Sequence, residues 1–183
     1  MLKKEAEITF EKLLELHNNP IILDFGEEHL RAIHQYLFEE IYEFAGEYRN
    51  VYMGKNNSYF ASEEMISFRL KEAFRVAEEE LKMVQYDYSG YGFAGVLTGL
   101  YIELLNIHPF REGNGRAIKE FIREYANEKS KQLGIGEINF SWNNVNTEEI
   151  NLYIDKAIVF RSNIENEFMK AFEKVDKSSN YSK

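Results

Sequence analysis

Residues 108–116 have the sequence His108-Pro109-Phe110-Arg111-Glu112-Gly113-Asn114-Gly115-Arg116, and this stretch decides the fold. It lies between two segments, residues 93–105 and 117–126, whose apolar side chains recur at helical spacing. The sequence therefore predicts a helix, a tight loop and a second helix. The apolar positions are Phe93, Val96, Leu97, Leu100, Tyr101, Leu104 and Leu105 before the loop, and Ala117, Ile118, Phe121, Ile122, Tyr125 and Ala126 after it.

The loop has the composition of an anion-binding site. Gly113 and Gly115 permit backbone conformations that other residues avoid, and they expose N–H groups where the dipole of the second helix begins. Arg116 and Lys119 lie in the first turn of that helix, where a cation is disfavoured by roughly 0.3–1 kcal/mol. We therefore expect an anion, such as a phosphate, to offset this cost.

Two further residues of the loop supply catalytic chemistry. His108 carries the side chain best suited to accept a proton near neutral pH. Glu112 offers a carboxylate of the kind that binds magnesium together with substrate phosphates. The other histidines, His17, His29 and His34, lack the spacing of a metal site, so we interpret them as structural.

The loop resembles the signature of the Fic family, His-Pro-Phe-x-(Asp/Glu)-Gly-Asn-Gly-Arg, at every fixed position. Residues 33–38 and 42–49 resemble the first core helix of that family and its exit. The resemblance implies an all-α fold, a single Fic-type helical domain with a small β-hairpin flap beside the active site. The expected organisation is an N-terminal helical extension at 1–27, a Fic core at 28–175 with its flap at 51–61 and motif at 108–116, and a disordered tail at 176–183.

Composition limits the functions that this chain can have. A net charge of −9 argues against binding to nucleic acid or to an anionic membrane, because phosphates attract an excess of lysine and arginine. The absence of cysteine excludes disulfides and thiolate chemistry. No segment has the length and polarity expected of a membrane span or a signal core. We expect a cytoplasmic protein.

Apolar spacing predicts further helices at residues 8–17, from Leu30 to Gly46, and from Ile66 to Leu81 with Ser62 as the cap. A last helical pattern covers residues 147–174. Between these, residues 51–53 and 59–61 predict a hairpin, which on composition alone is an ordinary connection. In Fic proteins such a hairpin is a flap that holds a target segment by strand addition. The resemblance thus assigns Ser58, Tyr59 and Phe60 to target binding and Lys55 to the nucleotide.

The resemblance implies protein adenylylation. ATP would lie along Gly113, Asn114 and Gly115, with Mg²⁺ on Glu112. A Ser, Thr or Tyr hydroxyl of a target protein would attack the α-phosphate while His108 removes its proton. The Doc branch of the family, a kinase, has lysine in place of Gly115, so glycine here favours AMP transfer. The resemblance further assigns Arg116 to the phosphates and Lys119 and Asn143 to the nucleotide.

Adenylylating relatives usually continue the motif as Gly-Arg-x-x-Arg, whereas this chain has Lys119 at the second arginine. Lysine keeps the charge but lacks the planar guanidinium that binds phosphate through two hydrogen bonds. Nucleotide binding could therefore be weaker than in those relatives, or the preferred nucleotide could differ. Two alternatives remain: another phosphotransfer activity on the same scaffold, including a different nucleotide donor or removal of AMP, and a non-catalytic interaction module.

The resemblance also bears on regulation. Many Fic proteins are silenced by a helix with the pattern (Ser/Thr)-x-x-x-Glu-(Gly/Asn), whose glutamate pairs with the motif arginine. This chain lacks that spacing, and the nearest approach, from Ser162 to Glu165, has a spacing of three. The chain therefore resembles the class I, toxin-like type, and we expect a small antitoxin to supply a glutamate to Arg116 in trans. Inhibition by Glu165 itself is the alternative.

Overall fold

The computed structural model describes residues 2–55, 58–84, 91–135, 138, 140–146 and 168–170. The described chain is mainly helical, which confirms the predicted all-α class. None of its helices in the described segments has the length and apolarity needed to cross a membrane. The elements are α1 (Leu2–Asn18), α2 (Glu27–Phe38), β1 (Gly54–Lys55), β2 (Ser58–Tyr59), a 3-10 turn (Glu63–Met65), α3 (Ile66–Val84), α4 (Tyr91–Ile107), α5 (Asn114–Gln132) and a second 3-10 turn (Trp142–Asn144).

The chain forms two compact units. The first comprises Met1–Phe74 and Glu103–Phe121, and the second comprises Arg75–Ile102 and Ile122–Lys183. The domain boundaries predicted from the sequence stay a prediction. The helix predicted at 147–174 lies outside the described residues except for 168–170, and so does the predicted tail.

The first unit is built around the motif loop. Its core is formed by apolar side chains of α2, the beginning of α3, the end of α4 and the beginning of α5, together with Phe110 of the loop. Burial of each such side chain contributes about 1.5–3 kcal/mol, so the loop is supported by core residues on several elements. The largest contributors are Leu30, Ile33, Leu37, Phe38, Ile66, Leu70, Phe74, Leu104, Ile107, Phe110, Ile118 and Phe121.

Helix α1 belongs to the first unit and contacts the rest of it through several polar side chains. Lys12 Nζ lies 3.0 Å from Glu39 Oε1 and 3.0 Å from Glu40 Oε1. His17 Nε2 lies 3.3 Å from Glu120 Oε2, whose side chain is buried. The buried positions along α1 are Thr9, Lys12 and Leu16.

Two predicted helix ends are wrong. Helix α1 begins at Leu2 and extends well beyond the predicted residues 8–17. Helix α2 ends at Phe38 and not at Gly46. The apolar pattern continues past Phe38, but the chain there forms short-range turns and folds back onto α2, where Arg31 Nε donates to Gly46 O at 2.9 Å. Because α2 ends at Phe38, Gly46 is not its cap, and the positive φ of Gly46, +80, serves this turn instead.

Helix α3 follows the predicted pattern closely. The positions predicted to face the core, Ile66, Leu70, Phe74, Ala77 and Leu81, are all buried. Ser62 occupies the N-cap of the 3-10 turn that precedes α3, but its side chain makes no cap hydrogen bond. The Ser62 carbonyl accepts from Met65 N–H at 2.9 Å instead, so the predicted cap is correct in place and wrong in its bonding.

The predicted hairpin has different strand bounds. The strands β1 and β2 pair antiparallel, with Gly54 opposite Tyr59 and Lys55 opposite Ser58. Residues 51–53 and 60–61, predicted as strand, have no strand structure, although Phe60 N–H donates to Met53 O at 3.1 Å. The paired strands are too short to be stable by themselves. Their role as a target-binding flap stays a prediction.

The second unit contains the rest of α3, α4 and α5. Trp142 packs against Tyr101, Phe140 and Phe168 with ring centroids 5.1–5.5 Å apart. This cluster identifies Trp142 as a packing residue of the second unit. Phe140 N–H also donates to Asn127 Oδ1 at 2.8 Å, which anchors the segment before the 3-10 turn to α5.

Candidate active site

The motif loop is closed by its own asparagine. Asn114 Oδ1 accepts from Phe110 N–H at 2.9 Å, and Asn114 Nδ2 donates to Phe110 O at 2.7 Å. Asn114 is buried. Its side chain therefore shapes the loop. Only its backbone N–H could serve the nucleotide role predicted for this residue.

The two glycines have different local requirements. Gly113 has φ +79, and a Cβ added there would lie 2.4 Å from Phe38 Cζ. Gly115 lies within α5, has no positive φ, and an added Cβ would meet no described atom within 4 Å. The predicted special conformation is thus correct for Gly113 and wrong for Gly115. Only close approach of a ligand would require glycine at position 115.

The N-terminus of α5 presents backbone donors at the loop. The helix begins at Asn114, and Ala117 N–H donates to Gly113 O at 3.1 Å. The N–H groups before Ala117 lie in the first turn, which has no intrahelical acceptors, and they coincide with the positive end of the helix dipole. Gly113 N–H donates to Glu112 Oε1 at 3.3 Å. These donors are the ones on which the predicted anion site depends, and the site itself stays a prediction.

His108 has an unusual backbone conformation. Its φ is +50, the one positive φ among non-glycine residues in the described part of the chain. Such a conformation is strained for a residue with a side chain and is found at functional sites. The imidazole stacks on Phe60 with centroids 3.9 Å apart and the rings inclined by 6°. Phe60, predicted to bind the target, thus covers one face of the predicted base.

His34 of helix α2 supports the motif loop through a hydrogen bond. Its Nδ1 accepts from Gly46 N–H at 2.9 Å, so Nε2 carries the proton that bonds to Glu112 O at 2.9 Å. Burial lowers the pKa of His34 to about 4, which keeps the imidazole neutral in this tautomer. The ring also stacks on Phe110 with centroids 3.8 Å apart. The prediction that His34 is a structural histidine is confirmed.

Arg116 is engaged by α1. Its Nη2 lies 2.6 Å from Glu5 Oε1, and its Nη1 donates to Thr9 Oγ1 at 3.2 Å. The guanidinium lies 4.7 Å above the Phe38 ring. The hydrogen bond from Arg116 lowers the pKa of Glu5. In this conformation the carboxylate of Glu5 is the anion that offsets the positive charge at the N-terminus of α5.

Glu112 is exposed, as a residue that receives a metal from solvent needs to be. Among the described residues no group of three or more His, Cys, Asp or Glu side chains could hold a metal ion. A magnesium site made of protein ligands alone is therefore not formed by these residues. A single exposed carboxylate does fit magnesium that is bound jointly with nucleotide phosphates, because this ion usually keeps few protein ligands.

The remaining predicted site residues are placed as follows. Lys119 lies one turn after Arg116 on α5, and burial lowers the pKa of its ammonium group. Lys55 lies in β1, and Ser58 and Tyr59 form β2. Asn143 is exposed in the second unit, where its N–H donates to Ser141 Oγ at 3.3 Å. Their roles stay predictions.

Several residues that shape the site had no predicted role. Glu5 and Thr9 contact Arg116 from more than a hundred positions away in the sequence, so no local pattern indicates them. Arg49 ends the segment 42–49 that resembles the family, but its burial has no signal in the sequence, because arginine is usually exposed.

The glycines provide a paired test. We expect Gly113→Ala to destabilise the fold by about 2–5 kcal/mol, because the positive φ and the clash with Phe38 both add cost. Gly115→Ala, in contrast, is expected to keep or raise stability by up to about 1 kcal/mol. Urea unfolding of both variants measures this difference. Equal destabilisation by the two substitutions would contradict the assignment.

Comparison with known proteins agrees with this geometry. The sequence model of the Fic/DOC family matches residues 23–126. The protein adenylyltransferase VbhT of Bartonella schoenbuchensis is 31% identical over 147 residues, which are 80% of this chain and 29% of VbhT. The probable protein adenylyltransferase y4lH of Sinorhizobium fredii is 35% identical over 102 residues, which are 55% of this chain and 50% of y4lH. The chain thus spans half or less of the length of these two relatives.

Solved structures resemble the whole chain. The crystal structure of the BepC protein from Bartonella tribocorum, with bound AMPPNP, superposes with a TM-score of 0.70 and 17% sequence identity. The match covers 93% of this chain and 85% of that one. At this identity the likeness establishes the fold, and the helices described above are those of that fold. The whole of helix α1 precedes the residues that the family model matches.

Proposed function

This chain belongs to the Fic/DOC family, and we propose that it is a protein adenylyltransferase, which moves AMP from ATP to a hydroxyl side chain of a target protein. The observation that carries the proposal is the placement of His108 directly before a loop that presents backbone donors and a helix N-terminus. The relatives VbhT and y4lH are described as an adenylyltransferase and a probable adenylyltransferase. The bound AMPPNP of BepC supports ATP as the donor.

In the proposed reaction a Ser, Thr or Tyr hydroxyl oxygen of the target attacks the α-phosphorus of ATP. The bond between this phosphorus and the bridging oxygen of pyrophosphate breaks, and the proton of the hydroxyl passes to the imidazole of His108. The N–H groups of Asn114 to Arg116 would stabilise the negative charge on the phosphate oxygens, where loss of one donor typically costs about 10²–10³ in rate. AMP remains on the target.

Glu112 would hold magnesium together with the phosphates. The ion, when bound, neutralises phosphate charge and orients the leaving group. Glu112 would offer one carboxylate oxygen to the ion, while its other polar atoms keep their hydrogen bonds within the site. Its backbone carbonyl is fixed by His34, and its side chain accepts from Gly113 N–H at 3.3 Å. The carboxylate is therefore held at the end of the loop where phosphates would enter.

Arg116 would contact the phosphates once it is released from Glu5. An antitoxin that supplies a glutamate in trans, as predicted from the sequence, remains a proposal for the regulation of this enzyme. The ion pair between Glu5 and Arg116 favours a second candidate, an internal carboxylate on α1. Glu165, the internal alternative suggested by the sequence, lies outside the described residues. The cytoplasmic location stays a prediction.

Labelled nucleotides test the proposed function. We expect purified protein to label proteins of a bacterial lysate with α-³²P-ATP and magnesium, but not with γ-³²P-ATP. Label from the γ-phosphate would indicate a kinase, and label from another nucleotide alone would indicate a different donor. Absence of label from every nucleotide, including with variants that release Arg116, would favour a non-catalytic interaction module. Mass spectrometry of the labelled proteins identifies the target and the modified residue.

Lys119→Arg tests the departure from the family motif. Arginine stays charged despite burial, whereas burial lowers the pKa of the lysine. We therefore expect tighter ATP binding by about three- to tenfold, since one charged hydrogen bond is worth about 1 kcal/mol more in the bidentate form. Isothermal titration calorimetry measures this affinity. Unchanged or weaker binding would show that residue 119 does not contact phosphate.

A further inference from the structure

Arg49 is a buried cation whose side-chain hydrogen bonds, in the described part of the chain, are made to the backbone and not to a carboxylate. Only 2% of its surface is exposed. Each of its guanidinium nitrogens donates instead to backbone carbonyl oxygens. Nε donates to His108 O at 2.8 Å, Nη1 donates to Val51 O at 2.8 Å, and Nη2 donates to Ile107 O at 3.2 Å and also to Ala61 O. Desolvation of this kind costs several kcal/mol unless the donors are satisfied, so the position of these carbonyls matters to the fold.

The partners of Arg49 belong to two parts of the site. Ile107 and His108 are the end of α4 and the first residue of the motif, and Arg49 N–H donates to the next carbonyl, that of Pro109, at 2.8 Å. Val51 and Ala61 lie on either side of the hairpin formed by β1 and β2. One side chain therefore joins both ends of the hairpin to the backbone that carries the proposed base.

The same region contains the strained backbone of His108. A positive φ at a residue with a side chain persists only when its surroundings fix it. The carbonyl of His108 is held by Arg49, and its ring is stacked on Phe60. Phe60 is followed by Ala61, whose N–H donates to Asn106 O at 3.3 Å and whose carbonyl accepts from Arg49. Two sets of contacts thus connect the imidazole to Arg49. One runs through the backbone of His108, and the other runs through Phe60 and Ala61.

We propose that Arg49 is a positioning residue, which fixes the imidazole of His108 and the two ends of the hairpin in one geometry for transfer. This inference rests on the proposed function, in which His108 is the base and the hairpin holds the target. The guanidinium of Arg49 is occupied by backbone carbonyl oxygens and is assigned no contact with ATP or the hydroxyl. Its effect passes through the backbone of His108 and through Phe60. It should therefore influence the rate of transfer and not the affinity for nucleotide.

Arg49→Lys is the test, because lysine keeps the charge but cannot reach four carbonyl oxygens from one nitrogen. We expect kcat to fall on the order of 10²-fold, as for a displaced catalytic group, while the Kd for ATP changes less than twofold. Hydrogen exchange at the amides of Phe60 and Ala61 should become faster. Arg123→Lys provides a matched control, since Arg123 is also buried but lies on α5 in the other unit. It should alter none of these quantities.

Each outcome decides the proposal. A wild-type kcat with unchanged exchange in Arg49→Lys overturns it, and so does an equal loss of kcat and ATP affinity, which would indicate general disruption. If Arg49→Lys does not fold, Arg49→Gln, which buries no charge, is measured in its place. Failure of both variants to fold overturns a positioning role. Hydrogen exchange does not depend on catalysis. If exchange is faster in Arg49→Lys but the wild-type protein never transfers AMP, the proposed function is contradicted and the role of Arg49 in holding this geometry is not.

Discussion

Replacement of His108 by alanine is expected to lower AMP transfer by on the order of 10²–10⁴-fold while ATP binding stays within twofold of wild type. The loss corresponds to removal of a general base from the transition state. ATP binding persists because the expected phosphate donors are the backbone of the loop and Arg116, which the substitution does not change. Rates with α-³²P-ATP and calorimetric ATP affinities are the two measurements.

The fold should tolerate this substitution. The backbone of His108 keeps its hydrogen bonds, from its own N–H to Leu104 O at 3.0 Å and from Arg49 Nε to its carbonyl at 2.8 Å. The lost stacking on Phe60 costs about 0.5–1.5 kcal/mol. His108→Asn is the control for backbone strain, because asparagine adopts positive φ more readily than alanine. Both variants should be equally inactive. Transfer at the wild-type rate by either one would show that His108 is not the base.

The sequence indicated the helices best where the apolar pattern and the helix cover the same residues. In α3 every predicted core position, from Ile66 to Leu81, is buried, because nothing interrupts the helical repeat. After Phe38 the repeat continues through Ile41 and Phe44, but the helix does not. Gly46 O accepts from Arg31 Nε and Gly46 N–H donates to His34 Nδ1, and these two bonds hold the chain in a turn there. Periodicity alone cannot distinguish a helix from a folded-back segment with the same spacing.

The motif itself indicated the positive φ of Gly113 and the helix N-terminus beside it, since both are local properties. It could not indicate how the loop is held. Asn114, predicted to bind nucleotide, turns its side chain to Phe110. The carbonyl of Glu112 is fixed by His34, which lies 78 positions earlier in the sequence. These contacts depend on the tertiary packing of α2 against the loop, and a single sequence carries no record of such pairs.

The engagement of Arg116 by α1 is the other feature that the sequence did not indicate. The predicted inhibitory pattern places a glutamate four residues after a serine or threonine. Here Glu5 precedes Thr9 by four residues, so the two residues have the reverse order and the pattern does not detect them. One helical turn nevertheless brings both side chains to the same face. Both contact the guanidinium of Arg116.

Glu5→Gln is expected to tighten ATP binding and accelerate transfer by about five- to thirtyfold. Glutamine keeps the shape of the side chain but removes the charge that pairs with Arg116 at 2.6 Å, and loss of a charge-assisted hydrogen bond is worth about 1–2 kcal/mol here. Calorimetry with ATP and magnesium, with rates measured in parallel, tests this. Glu11→Gln removes an exposed charge from the same helix and should change neither quantity.

The same variant distinguishes the two forms of regulation. If Glu5 occupies the phosphate site of Arg116, wild-type protein purified alone should be slow, and Glu5→Gln should be fast without any partner. Higher salt should also narrow the difference between the two proteins, because screening weakens the pair of Glu5 and Arg116 in the wild type. If wild-type protein is fully active alone and Glu5→Gln has the same ATP affinity, Glu5 does not compete with the nucleotide. Inhibition would then have to come from a separate protein, as the missing sequence pattern first suggested, and Arg116 would be free to receive its glutamate only after α1 moves away.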